Sequence, residues 1–311
     1  MRSTALRDSR ARLAAALLLA VVSMLLALGG PGIEVGRSGA SLTDTETVGA
    51  GTLVTRACTF PSPYTAAVTA LNPTFYWQFA DAAGSTTVAD SSGNGNIGAV
   101  VTGTPPVTVT LGDPNTGLVQ CDDTGLTSPS IPGTSTSGSF VVKPTADQTR
   151  NTLTIMAWVR TTWTAGGRIL GQGDSASGLS THSDRMLFLD NAGHVVFGVF
   201  SNNKFRYLRS SAAVNDGLPH FLAASLGKAG ATLYVDGVRV QLDPTLTKAD
   251  TYPKNQGYWR VGWDNLSGYS ATGQPQPTDF GLNGVIDEAA VFQGTQLSDA
   301  QIAGLWAANH W

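Results

Sequence analysis

The sequence predicts an all-β chain, an antiparallel β-sandwich of jelly-roll type with a short C-terminal helix. Three observations predict it. Charged residues make up 13% of the 311 residues, about half the usual globular share, and 36 glycines with many Thr and Ser fill their place. From Thr74 onward, short β-prone runs alternate with turn signals, the rhythm of packed antiparallel sheets. Only one segment, close to the C-terminus, carries helical spacing with a matching cap. A hydrophobic share of 42% suffices for a sizeable core.

The elements follow in order. Thr74–Phe79 is aromatic and β-prone. Leu153–Val159 places Leu153, Ile155, Ala157 and Val159 on one face and Thr154, Met156 and Trp158 on the other. Bulk on both faces predicts an interior strand. Val195–Phe200 follows a turn at Asn191-Ala192-Gly193. Ala231–Val240 predicts a hairpin, because Asp236-Gly237 suits the positive φ angles of a two-residue turn. Gly257–Trp263 and Gly284–Phe292 supply two further strands. Ser298 and Gln301 form a capping box, and Ile302, Leu305 and Trp306 then share a helical face. Such a helix is expected to cover an open edge or end of a sheet.

The beginning of the chain speaks to compartment. Arg2, Arg7, Arg10 and Arg12 precede an apolar run from Leu13 to Leu28, and Gly29, Gly30 and Pro31 end it. This is the layout of a secretory signal, with small residues at Ser38-Gly39-Ala40 for cleavage. An uncleaved anchor is the alternative, since this 16-residue run, interrupted only by Ser23, approaches the roughly 17–25 that span a bilayer. The expected division is a signal at 1–40, a leader at 41–69 and one β domain at 70–311. Cleavage after Ala40 removes five of the 19 basic and two of the 22 acidic residues, which leaves 14 and 20, a net charge of −6. No basic run remains, so nucleic acid is not an expected partner, and neither is a membrane after cleavage. In an oxidising compartment Cys58 and Cys121 have one intramolecular pairing, closing a loop of about 60 residues worth about 4 kcal/mol. Two unpaired thiols are the other reading.

Residues 40–55 carry Leu42-Thr43-Asp44-Thr45 and Ala50-Gly51-Thr52-Leu53. This stretch resembles the start of proteins exported with a SipW-type signal peptide, the camelysin and TasA class. The resemblance implies a dedicated export route rather than an activity. A Thr-rich linker is the plainer reading.

Four stretches of the body carry a second resemblance. They are Phe75-Tyr76-Trp77-Gln78-Phe79 leading to Asp90-Ser91-Ser92-Gly93-Asn94-Gly95-Asn96, and Thr154–Arg160. Next come Asn215-Asp216-Gly217 with His220, followed by Leu233-Tyr234-Val235-Asp236-Gly237. The last is Gly284-Val285-Ile286-Asp287-Glu288-Ala289-Ala290-Val291-Phe292. In this order they resemble the laminin-G-like jelly roll of the concanavalin A-like lectin/glucanase superfamily, over roughly residues 70–308. The resemblance implies a binding module, with carbohydrate or a surface protein as partner. A structural protein of an extracellular matrix or cell surface, engaging other protein chains, is the alternative that the SipW-like start favours, and a glycoside hydrolase is a third reading. Pro219 stands where that family has Trp before His, which implies an edge strand or bulge.

Glycoside hydrolysis needs two carboxyl groups facing one sugar. Asp287 and Glu288 are adjacent and so are expected on opposite faces of a strand, and no Glu-x-Asp-x-x-Glu pattern occurs. No Gly-x-Ser-x-Gly elbow is present, and His182, His194, His220 and His310 are scattered. The expectation is therefore a protein without a catalytic residue set. For ligand binding, Trp259, Val261 and Trp263 are expected in the core, leaving Tyr258, Arg260, Asp264 and Tyr269 as the candidate ligand surface. Phe205, Arg206 and Tyr207 form a second, weaker candidate. Calcium is the expected ion: Asp90, Ser92 and Asn94 alternate like the first half of an EF-hand loop, though position twelve is Val101. Asp90, Asn94 and Asp287 are the candidate ligands. The competing reading is that Asp90 and Asn94 make the turn's own hydrogen bonds.

Overall fold

A computed structural model describes residues 62–82, 84–103, 136–251, 255–269 and 276–308. The chain divides into two units, Met1–Arg56 and Ala57–Trp311, and all described residues belong to the second. The signal, the SipW-like stretch, Cys58, Cys121 and His310 lie outside the described residues.

Helix α1 spans Pro63–Ala70. Strands β1 to β5 are Phe75–Trp77, Thr87–Val88, Gly98–Val101, Phe140–Val142 and Asp147–Gln148. Strands β6 to β10 are Leu153–Arg160, Gly167–Gly173, Ser183–Leu189, His194–Ser201 and Lys204–Ala213. Strands β11 to β15 are His220–Gly227, Gly230–Val235, Val238–Asp243, Gln256–Gly262 and Val285–Gln293, and helix α2 is Asp299–Ala308. A six-stranded sheet runs β1-β15-β6-β11-β12-β13. A nine-stranded sheet runs β10-β9-β8-β7-β14-β4-β3-β2, with β5 beside β14. The predicted all-β antiparallel sandwich with a C-terminal helix is the observed fold.

Alternation along β6 sets the layers. Leu153, Ile155, Ala157 and Val159 enter the core between the sheets, with Trp77, Phe197, Leu222, Leu233 and Trp259. Met156 and Trp158 point to the outer face of the six-stranded sheet, which α1 and α2 cover. β6 lies between β15 and β11, as its two-sided bulk predicts. The hairpin between β12 and β13 turns at Asp236 and Gly237, both at positive φ (51° and 76°). Gly237 is also spatially required, because an added Cβ would come within 2.6 Å of the Trp306 Cβ.

Four expectations change. Pro219 precedes β11, and β11 is an interior strand between β6 and β12, so the proline marks its start rather than an edge. Helix α2 covers a sheet face rather than an edge: Ile302 and Leu305 are buried, and Trp306 stacks on Trp158 at 5.3 Å. The expected leader includes α1, capped by Ser62 with Pro63 in the first turn, whose Tyr64 and Val68 pack on the same face. Lastly, a bulge interrupts β15 between Asp287 and Ala290, with Glu288 at φ 53°. The bulge breaks the alternation expected of the acidic pair. Asp287 pairs with Trp158, and Glu288 accepts from the Tyr76 hydroxyl, so both fully buried carboxylates serve the helix-covered face.

Candidate functional site

The outer face of the nine-stranded sheet carries a third apolar cluster: Phe140, Met186, Phe188, Trp263, Leu266 and Tyr269, with Phe200, Phe205, Tyr207 and Tyr258 packed against it. Tyr269 is its hub. Its ring meets Phe188, Phe200 and Phe205 edge-on at 5.6, 5.4 and 4.9 Å, and Phe205 stacks on Tyr207. Edge-to-face contacts of this kind are the favoured aromatic geometry. The two sequence-predicted aromatic stretches thus meet on one face.

A groove of about 550 Å³ opens beside this cluster. Phe200 and Tyr269 supply aromatic surface, and Thr181, His182, Asn203, Asp250 and Asn265 bring polar groups. Ser183 and Asp184, at the start of β8, complete that wall. Ser183 is 7% exposed and its hydroxyl oxygen has no hydrogen-bond partner among the described residues.

Two carboxylates line this groove, a feature the sequence reading did not find. Asp184 Oδ1 accepts from the backbone N–H groups of Arg185 (2.6 Å) and Phe200 (3.0 Å), and Oδ2 from Arg185 Nη1 at 2.8 Å. Asp250 Oδ1 and Oδ2 accept from the backbone N–H groups of Asn202 and Asn203, each at 2.8 Å. Burial pushes the Asp184 carboxyl up to about 6; Arg185 and the backbone donors pull it down, and the Asp250 charge adds to the rise. Every carboxylate oxygen here already holds a protein donor, so both groups have a structural task. Sequence spacing could not reveal the pair, since 66 positions separate Asp184 on β8 from Asp250 in the segment after β13.

The candidate ligand surface is corrected in part. Tyr269 lines the groove, although its hydroxyl is spent on the Ser183 carbonyl at 2.5 Å. Tyr258 is half-buried at the margin of the aromatic cluster. Arg260 and Asp264, expected on the surface, are fully buried. Arg260 lies 4.1 Å over the Phe140 ring and donates to the carbonyls of Ser175 and Gly178. Asp264 accepts from Arg168 Nη1 at 2.5 Å, from the Ser180 N–H and hydroxyl, and lies 3.3 Å from Arg260 Nη1. Their polarity suggested solvent, but the 174–180 loop folds over them. Gly173 makes room, since an added Cβ would strike Ser180 and Asp264. Trp259 and Val261 face the inter-sheet core as expected, whereas Trp263, also buried, joins the outer cluster with Phe140 at 6.0 Å. Past the end of β14 the alternation no longer applies.

The three candidate calcium ligands already take part in protein hydrogen bonds. Asp90 Oδ1 accepts from the N–H of Tyr76 (2.9 Å) and Ser92 (3.0 Å), and Oδ2 from that of Asn96 (2.8 Å). Asn94 donates to the Pro73 carbonyl at 2.9 Å. Asp287 Oδ1 accepts from the Glu288 N–H at 3.0 Å. Three N–H dipoles aimed at Asp90 are what a turn-forming carboxylate attracts and what a cation would have to displace. The residues therefore fit a loop latched onto β1 better than an ion cage. Among the described residues, no cluster of three His, Cys, Asp or Glu could hold a metal.

These features define an antiparallel lectin-type sandwich with a polar, aromatic-floored groove on its larger sheet. A laminin G family model, described as concanavalin A-like lectin/glucanases superfamily, matches residues 134–303, more than half of the chain. The chain belongs to that family. No curated protein sequence matches it. Among solved structures, the receptor binding domain of botulinum neurotoxin type G is 12% identical (TM-score 0.47), covering 76% of this chain and 51% of that one. A Trypanosoma rangeli sialidase is 14% identical (TM-score 0.41), covering 75% and 32%. Domain 4 of a GH43 extracellular arabinanase from Geobacillus stearothermophilus, in complex with arabinotriose, is 15% identical (TM-score 0.45), covering 75% and 98%. The chain spans about half the length of the neurotoxin chain and about a third of the sialidase chain.

Proposed function

We propose that this protein is a non-catalytic module that binds carbohydrate in the groove on the nine-stranded sheet. The observation that carries the reading is the join of the Phe200–Tyr269 aromatic floor to a buried, unsatisfied Ser183 hydroxyl and a polar rim. Sugars offer apolar C–H faces and many hydroxyls, so they need a flat apolar partner beside hydrogen-bonding groups. Family membership supports it. The basic and apolar start of the chain supports a site of action outside the cytoplasm.

Binding to a panel of plant and cell-wall polysaccharides tests this. Asn203→Gly strips a polar side chain from the rim, and glycine keeps the positive φ of residue 203. It should weaken retention by roughly tenfold without lowering the melting midpoint; absence of binding to every polysaccharide would overturn the reading. A hydrolase is the second reading, favoured by the Asp184–Asp250 pair. It predicts reducing-sugar release that Asp184→Asn abolishes.

A further inference from the structure

We propose that the groove prefers sugars bearing a protonated amine, such as glucosamine oligomers, over neutral N-acetylated or anionic uronic ones. This rests on the carbohydrate reading above and sharpens it. On β8, Asp184 is matched by Arg185 at 2.8 Å. At the rim, Asp174 accepts from the Thr181 N–H and hydroxyl and lies 3.0 Å from His182 Nδ1. Beyond β13, the Asp250 carboxylate makes no ion pair among the described residues: its two oxygens accept the Asn202 and Asn203 backbone N–H groups, while the Arg185 guanidinium donates to the Asp250 main-chain carbonyl at 3.1 and 3.2 Å. Lys204, next in sequence, does not line the groove. A carboxylate has about four acceptor positions, so Asp250 keeps about two for a ligand. Its charge is felt inside the site, since it is among the causes that raise the Asp184 carboxyl.

The Ser183 hydroxyl is the independent sign of a ligand. It is buried on the wall of the same groove and has no described partner, and such groups cost free energy unless something satisfies them. A sugar hydroxyl at Ser183, a ring over Phe200 and an ammonium at Asp250 would satisfy all three features.

Calorimetry on the full-length protein tests this with four probes: a glucosamine oligomer, the N-acetylglucosamine oligomer of equal length, a galacturonate oligomer and a trilysine peptide. The expected order is glucosamine tightest, about tenfold ahead of the acetylated form, with galacturonate weakest. Raised salt and Asp250→Asn should each erase the tenfold gap, and Asn retains one acceptor oxygen for the turn. Ser183→Ala should instead weaken both hexosamine oligomers alike. Equal affinity for amine and acetylated forms would overturn the charge preference and leave the carbohydrate reading intact. Trilysine binding as tightly as the glucosamine oligomer would overturn the sugar part, and no binding of any sugar would overturn both.

Discussion

Asp264 sits between two guanidinium groups, Arg168 and Arg260, at full burial. Removing its charge strands both cations in a low-dielectric interior. Asp264→Asn is expected to destabilise the fold by about 3–5 kcal/mol, measured as a shift of the urea midpoint. Asp90 acts more locally. Asp90→Ala orphans the N–H groups of Tyr76, Ser92 and Asn96 and should cost about 1–3 kcal/mol. A chelator should leave the melting midpoint of the wild-type protein in place, and a fall of several degrees would restore an ion to this loop. Residue by residue, the sequence was legible where periodicity ruled, as for Trp259 and Val261. It misled at Arg260 and Asp264, where polarity was read as exposure. Burying a charge depends on partners such as Arg168, 96 positions from Asp264, and strand patterning carries no trace of them.

At the scale of elements, His220 ties the start of β11 to two neighbours. Its Nδ1 lies 2.8 Å from Asp236 in the β12–β13 turn, and its Nε2 lies 3.1 Å from Asp216. The Asp236 hydrogen bond raises its pKa above the ordinary value of 6.5, against the opposing effect of burial. A histidine raised on folding contributes full stability below about pH 6.5 and loses it as pH climbs through the folded value. Thermal melts from pH 5 to 8 should therefore fall on the alkaline side, and His220→Gln should flatten that fall. Gly237→Ala meets both a positive φ and the Trp306 side chain, and should lower stability by about 1–3 kcal/mol. Here the sequence was mostly legible: the hairpin, the capping box and β6 were all visible as local patterns. Helix α1 was not read from the sequence at all: Ser62-Pro63 is its one local mark, and its packing partners lie on β6 and β11.

At the scale of the molecule, two sheets share one core, and each outer face has its own cover. Helices close one face; aromatic side chains and loops close the other and leave the groove. The class of fold followed from composition and turn rhythm, because both report how backbone hydrogen bonds are paired. The groove did not, because it is assembled from the β7–β8 connection, the β9–β10 turn and the segments after β13 and β14. Loops vary in ways that regular patterning does not encode. Phe200→Ala should leave the sandwich folded yet weaken polysaccharide retention by about tenfold, read by affinity electrophoresis.

The Gly173–Ser180 stretch looks pliable in composition, yet Arg260 grips its carbonyls from below and Asp264 holds its far end. An endoprotease cuts a chain only once it is drawn out of its resting shape. Digestion should thus spare this stretch in the wild type and open it in Arg260→Ala, with a clip near Leu179.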